Sequence, residues 1–322
     1  MKRVLLVLQI AVAVVGLFAV GCNKDIGPGD QAPAGVTNEE LAMKYYAAND
    51  EFVKNDEITF ADQAVQPTDY GTFGKIDADV TPLRWGRFIK HIDKQVTVTV
   101  QPGDTISISL IEKTITGTLN IRAKTGAGDT VIISKPFIDK STRYVIFKRV
   151  TRDPERFWLN WVPVASSLIK GGTVEPNNLI NLTKVEMFLP NGDTVTVTDP
   201  TAYFLRYRWL HMFRGGRKDA PELTPGTFVR MRATLVSSSA DTDVVALRYG
   251  CDFFHARRAK MTFKGQTDNG DGTYTREYEY TWPVHFHRGF FNAGVDAMTK
   301  GTLYDDQAPY SVSWWGVPYR VL

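Results

Sequence analysis

A chain of 322 residues with 43% hydrophobic and 12% aromatic side chains is long enough for two domains and apolar enough to bury real cores. Two cysteines exclude a disulfide-stapled scaffold, so stability must come from packing. The formal charge of +3 is unevenly placed: residues 23–80 carry 12 acidic side chains against 4 lysines, and residues 81–322 carry a net +9. An acidic stem under a basic body bears on association and solubility rather than on fold.

The chain opens with Met1-Lys2-Arg3, an apolar run from Val4 to Val20, and small residues before Cys22. A short basic start, an apolar stretch and a small-residue cut site are the layout of a secretory signal peptide over residues 1–21, which is not part of the fold. Ala19-Val20-Gly21-Cys22 resembles the lipobox of bacterial lipoproteins. The resemblance implies that Cys22 is acylated and becomes the mature N-terminus, which makes a lipid bilayer the first partner. In that family an Asp after the cysteine holds the protein at the inner membrane; Asn23 here favours the outer membrane. With Cys22 acylated, Cys251 has no intramolecular partner, and among Tyr249, Phe253 and Phe254 it reads as a buried, inert thiol.

Residues 22–36 hold Gly27-Pro28-Gly29 and Ala32-Pro33-Ala34-Gly35, the composition of a flexible tether. From Asn23 to Val36 it reaches up to about 50 Å. Residues 37–92 read as a helical and irregular segment. Thr37 and Glu40 form a capping box, and Leu41, Tyr45, Ala48 and Phe52 make one apolar helical stripe. From residue 95 onward the period changes to 2. Val96, Val98 and Val100, then Ile106, Ile108 and Leu110, then Leu119, Ile121 and Ala123 alternate with polar neighbours, and strands also fit Tyr144–Val150 and Arg156–Val162. The Gly171-Gly172 to Asn178 stretch is the strongest break. A second series follows over Lys184–Leu189, Thr194–Thr198, Thr227–Val236, Asp243–Tyr249, Ala259–Gly265, Gly272–Trp282 and Tyr310–Val321. The fold class expected is all-β, with two tandem immunoglobulin-like β-sandwich domains over residues 93–175 and 176–322.

Asp268-Asn269-Gly270-Asp271-Gly272-Thr273-Tyr274, followed by Tyr278 and Tyr280, resembles a hairpin of filamin-like and bacterial immunoglobulin-like domains. The glycines permit positive φ and the Asp and Asn side chains cap the turn. The resemblance covers about a fifth of the chain and implies an extracytoplasmic module, not an activity.

Among candidate sites, residues 201–260 hold 11 basic against 5 acidic side chains. Arg206 and Arg208, and Arg230 and Arg232, alternate with apolar neighbours. These four and Trp315, the exposed member of the Trp314-Trp315 pair, are the candidate partner-binding residues. His285 and His287 share a strand face and are a weak metal candidate; the parity of the preceding strand puts them on its polar side. The DNGDGT turn lacks the ligand spacing of an EF-hand. Glu277 and Glu279 form a same-face carboxylate pair at a spacing glycosidases also use. No catalytic residue and no cofactor is assigned. The expectation is a non-enzymatic, lipid-anchored envelope protein with a structural, adhesive or partner-binding role. Its partners would be an acidic surface polymer, a glycan or an envelope protein, not nucleic acid. The alternatives are a carbohydrate-binding component of an envelope glycan system and an envelope hydrolase.

Overall fold

The computed structural model describes residues 37–49, 80–126, 128–210, 213–217, 219–250 and 257–322. Residues 1–36, over which the signal peptide, acylated Cys22 and tether are expected, lie outside the described residues, as do Phe52, Cys251 and the side chains of Arg208 and its neighbours in the hairpin that follows. No helix among the described residues is long and apolar enough to cross a membrane.

Helix α1 (Asn38–Asn49) precedes three long strands, β1 (Val80–Val100), β2 (Ile106–Thr125) and β3 (Thr130–Arg149). A 3-10 turn at Phe157–Leu159 leads into β4 (Trp161–Ser167) and β5 (Lys170–Thr173). Then come β6 (Ile180–Phe188), β7 (Thr194–Val197), β8 (Phe204–Leu210), β9 (Phe213–Arg217), β10 (Glu222–Leu223), β11 (Phe228–Ser237) and β12 (Val244–Tyr249). The chain ends with β13 (Arg257–Lys260), β14 (Thr262–Asp268), β15 (Tyr274–Pro283), β16 (Gly289–Met298), helix α2 (Lys300–Tyr304) and β17 (Val312–Val321).

The fold is all-β, as expected. A five-stranded sheet, β14-β15-β11-β6-β7, faces a twelve-stranded sheet running β13-β12-β16-β17-β5-β3-β4-β8-β9, to which β1 and β2 add beside β3 and β10 beside β17. Between the sheets Val229, Met231, Ala233 and Leu235 of β11 meet Val245, Leu247, Val295, Val317 and Tyr319. The alternate residues of the same strands, Val244, Ala246, Met298, Val312 and Trp314, pack on Trp85, Leu119, Ile121 and Phe137 of the β1–β3 meander. Strands β12, β16 and β17 are thus buried on both faces, which is why β12 and most of β17 read as unbroken buried runs.

Three expectations change. The proposed boundary near residue 175 does not separate two sheets: β5 bonds β3 on one side and β17 on the other, so backbone pairing runs through the glycine-rich stretch. β1 begins at Val80, inside the segment read as helical and irregular. β2 is one strand rather than two. Its odd residues, from Ser107 and Ser109 through Ile111 and Ile115 to Ala123, are buried without a break, while Ile106, Ile108 and Leu110 lie on the half-covered face. The apolar residues switch parity partway along β2, which imitates two strands. In α1 the buried residues are Leu41, Met43 and Ala47; Met43 and Ala47 cluster with Phe147 of the meander and Trp161 of β4, and Tyr45 is exposed.

Candidate functional site

β5 is Lys-Gly-Gly-Thr, and its glycines fit the place it occupies. A Cβ on Gly171 would fall inside the Trp314 indole, and one on Gly172 would sit 2.6 Å from the Val312 carbonyl oxygen. Only bare backbone lets β5 bridge β3 and β17 beneath that ring. Above the bridge, on the side of the five-stranded sheet, lies a cleft of about 360 Å³ bordered by Lys140, Thr142, Lys170, Asn178, Asn181 and Ser313. Lys170 Nζ stands 3.2 Å from Asp199 Oδ1. The Ser313 hydroxyl accepts the Leu182 N–H at 3.0 Å, tying the sheets together at the cleft. Two ammonium groups with surrounding hydroxyls and amides can bind an anionic or polyhydroxylated group.

Behind β5 lies a buried ionic cluster. Arg87 Nη1 and Nη2 donate to Asp296 Oδ2 and Oδ1, each at 2.9 Å, with both side chains fully buried. Arg87 Nε donates to the Tyr310 hydroxyl at 2.8 Å, which donates to Asp139 Oδ2 at 2.9 Å. Thr173, at the end of β5, donates to Asp139 Oδ1 at 3.3 Å and accepts the Val312 N–H at 2.9 Å. Arg248 Nη2 lies 3.6 Å from Asp296, and the Arg258 guanidinium sits 4.0 Å over the Trp85 ring. Burial pushes the Asp139 carboxyl up to about 6, against the opposing pull of Arg87 and the Tyr310 hydrogen bond. Burial would also raise Asp296, but Arg87 outweighs it, helped by Arg248 and Arg258, and holds that carboxyl at about 2. The groups come from β1, β3, β5, β12, β13, β16 and the connection into β17, so the cluster fastens the meander to the sandwich.

Two further polar anchors hold loops. The Glu39 carboxylate accepts from Arg149 Nη1 (2.9 Å), Asn160 Nδ2 (2.5 Å) and Trp161 Nε1 (2.9 Å), pinning the first turn of α1. Burial raises its pKa, but these donors win and hold it below the usual carboxylate range. Arg276, buried on β15, donates to Asp243 Oδ2 at 2.7 Å and to the carbonyls of Ser239, Ala240 and Asp241, clamping the β11–β12 connection.

The residues singled out in the sequence are dispersed. Arg206 is bidentate to Asp219, at 2.6 and 2.9 Å. Arg230 and Arg232 lie on the outer face of β11, over the Phe188 ring at 4.1 and 5.4 Å, and both approach Glu279 Oε2, at 3.7 and 3.1 Å. The basic strand face is therefore partly neutralised by its β15 neighbour. Trp315 is a correction: it is 4% exposed, a member of the inter-sheet core, and meets solvent only as part of the cleft wall. Trp314 is buried on the opposite face, so both rings of the pair point inward, because β17 is covered on both sides.

His285 is also not on the polar face. Parity holds to Pro283, after which His285 turns to pack edge-on against Phe291 at 4.2 Å, with Nε2 3.3 Å from the Tyr319 hydroxyl; His287 is exposed, with ring centroids 6.2 Å apart. In the DNGDGT turn Gly270 and Gly272 take φ of 78° and 83°. Asp268 accepts the Gly270 N–H at 2.8 Å and Asp271 accepts the Thr273 N–H and hydroxyl, so these carboxylates serve as caps.

The cluster of Arg87, Asp139, Asp296 and Tyr310 escaped the sequence reading. Its one local signal is Asp296 between Val295 and Ala297: a carboxylate in a strand buried on both faces demands a cation.

No protein-family profile matches this chain, and no curated protein sequence matches it. A solved structure of extended synaptotagmin 2, holding its SMP domain and two C2 domains, aligns over 73% of this chain and 89% of its own, at 7% identity and a TM-score of 0.14, too low to carry an argument.

Proposed function

We propose that this chain is a non-enzymatic lipoprotein of the bacterial cell envelope, held by acylated Cys22 at the outer membrane, with a structural or partner-binding role. The carrying observation is the Ala19-Val20-Gly21-Cys22 run behind a basic, apolar leader. The body supports it as a scaffold: continuous pairing through β5 and the Arg87–Asp296 pair weld meander and sandwich into one wall. The partner surface the geometry favours is the cleft at Lys140 and Lys170, because it is concave and adds hydroxyl and amide groups to its cations, with the Arg230/Arg232 face, partly neutralised by Glu279, second. A carbohydrate-binding role is the second reading, favoured by the Thr142, Asn178, Asn181 and Ser313 lining of the same cleft.

Intact mass of the membrane-extracted chain, read with protease accessibility on whole cells, tests the anchor. A lipid-sized increment on a chain beginning at Cys22 is expected; an unmodified, released chain overturns the reading. Salt-sensitive ligand binding lost in Lys140→Gln with Lys170→Gln would support an anionic partner, and salt-insensitive glycan binding lost in Asn181→Ala would support the second reading.

A further inference from the structure

Two sets of large apolar side chains stand in solvent at one end of the wall. Phe228 and Phe286 are 66% and 80% exposed. Their segments are joined by the Val284 N–H donating to Thr227 (2.8 Å) and the Gly226 N–H donating to Val284 (2.9 Å). Trp158 and Leu159, 47% and 49% exposed, ride on the 3-10 turn before β4. Exposed Val150 is beside them, its N–H donating to the Asn160 carbonyl at 2.8 Å.

Strand register puts both sets at the same end. Trp315 of β17 pairs with Lys170, and Lys170 pairs with Thr142 of β3. From that level β17 runs on to Val321, opposite Gly289, and β3 runs in the same sense to Arg149, opposite Trp161. Each run covers roughly 20 Å at about 3.3 Å per residue.

The incoming chain arrives there too. Glu39, in the first turn of α1, bonds Asn160 and Trp161, the two residues after Leu159. Residues 1–36 therefore reach the body beside Trp158 and Leu159, on a tether spanning at most about 50 Å from Cys22. Beside Trp158 and Leu159, Arg152 pairs with Asp104 at 3.2 Å and Arg156 with Asp153 at 3.4 Å, and beside Phe286 the Arg288 side chain is exposed, so this end offers apolar area fringed by long cationic side chains.

We infer that this end of the wall is a membrane-contacting surface, with Trp158, Leu159, Phe228 and Phe286 entering the headgroup region of the bilayer that holds Cys22. Aromatic rings favour the membrane interface, and apolar tips flanked by long cationic side chains sit there with the charges kept in water. The inference rests on the anchored reading and adds an orientation: the body lies down on the bilayer by this end and does not swing free on its tether.

The test uses the acylated full chain with Cys251→Ser, carrying a nitrobenzoxadiazole probe on Leu159→Cys, on Phe286→Cys, or on Ile132→Cys. Ile132 is 73% exposed and lies toward the opposite end of β3. In phosphatidylcholine vesicles the first two probes should shift to the blue and be quenched by spin-labelled lipid, the third should do neither, and high salt should change nothing. Silence at positions 159 and 286, or an equal response at 132, overturns the inference. A blue shift without vesicles that grows with protein concentration also overturns it, assigning the surface to a second copy. If the intact mass shows no lipid on Cys22, the anchored reading fails separately. The surface is then judged by flotation of the processed chain with the same vesicles: binding lost in Trp158→Ser with Phe286→Ser supports it, and no binding overturns it.

Discussion

Replacing Asp296 by Ala removes the carboxylate addressed by both Nη atoms of Arg87 at 2.9 Å and by Arg248 at 3.6 Å. Arg87 cannot shed its proton to escape, because a guanidinium remains charged at any pH a fold survives. Breaking a fully buried pair by deleting one member costs about 3–5 kcal/mol, most of it the stranded charge. Tyr310 remains an acceptor for Arg87 Nε and Asp139 remains close by, which argues for the lower half of that range. Against a domain stability of about 5–15 kcal/mol, even 3 kcal/mol shifts a urea midpoint clearly. The assay is urea unfolding followed by tryptophan fluorescence, run as a double-mutant cycle with Arg87→Met. Arg87→Met/Asp296→Ala leaves neither member of the pair stranded and should lose less than the two single losses summed, with a coupling of about 2 kcal/mol or more. An Asp296→Ala loss under about 1 kcal/mol, or strictly additive singles, would refute the assignment of this pair as the fastening of the meander.

Asp139 titrates at about 6 in the fold against an ordinary 3.8, so the folded state holds its proton more tightly. Its contribution favours the fold at low pH and fades as pH rises through about 6, a swing of about 3 kcal/mol at about 1.4 kcal/mol per pKa unit. Asp139→Asn, which mimics the protonated acid, should flatten the stability profile between about pH 4 and 7; parallel profiles for parent and variant would contradict this. Asp296 has the opposite sign: its lowered value stabilises the fold above 3.8, and that part is lost as pH falls toward 2. Gly171→Ala would drive a methyl into the Trp314 ring and should lower stability by about 1–3 kcal/mol or more as overpacking; a thermal midpoint equal to the parent's would show that β5 has room to move. Glu39→Ala strips three donors of their acceptor and should release α1. Amide hydrogen exchange in residues 38–49 should then accelerate with little change in β12 or β17, and unchanged exchange would mean that the Leu41, Met43 and Ala47 contacts hold the helix alone.

Period-2 alternation made the all-β class legible, and the Gly-rich turns marked most hairpins. β6, β7, β11, β12 and β15 lie within one to four residues of where their apolar periods place them. The errors share one cause. Alternation reports which face of a strand is buried only when the other face is wet. Here β17 is covered on both sides, so Trp315 imitated an exposed residue, and on β2 the half-covered face carries Ile106, Ile108 and Leu110, which imitated an inward one. Gly171-Gly172 looked like a linker for a related reason: glycine marks either a turn or a close approach of backbones, and only the tertiary contact with Trp314 decides. The site was less legible than the fold. Arg206, Arg230 and Arg232 were locatable as strand residues, but their pairing with Asp219 and Glu279 depends on cross-strand register. The Arg87 cluster joins positions more than 200 residues apart, which no local pattern reveals.

The polar cluster has a further consequence for how the meander finds its place. Its three strands are about 20 residues each and rich in β-branched side chains, so several pairings of β3 with β5 would bury similar apolar area. A slip of one residue would turn Phe137, Asp139 and Arg143 outward together. Only the observed register brings Asp139 to Tyr310 and Thr173 while Phe137 stacks on Tyr310 at 4.9 Å. The apolar contacts therefore supply most of the energy, and the buried charges discriminate between registers that apolar contacts alone would tolerate. The variant that separates these roles is Arg87→Met/Asp296→Asn/Asp139→Asn, which keeps volume and removes the charges. Its global urea stability should stay near the parent's, while amides of β5 and of β3 around residues 139–142 should exchange at least tenfold faster as alternative pairings become populated. If those amides stay as protected as in the parent, the glycines under Trp314 set the register by themselves and the charges are only a load the fold carries.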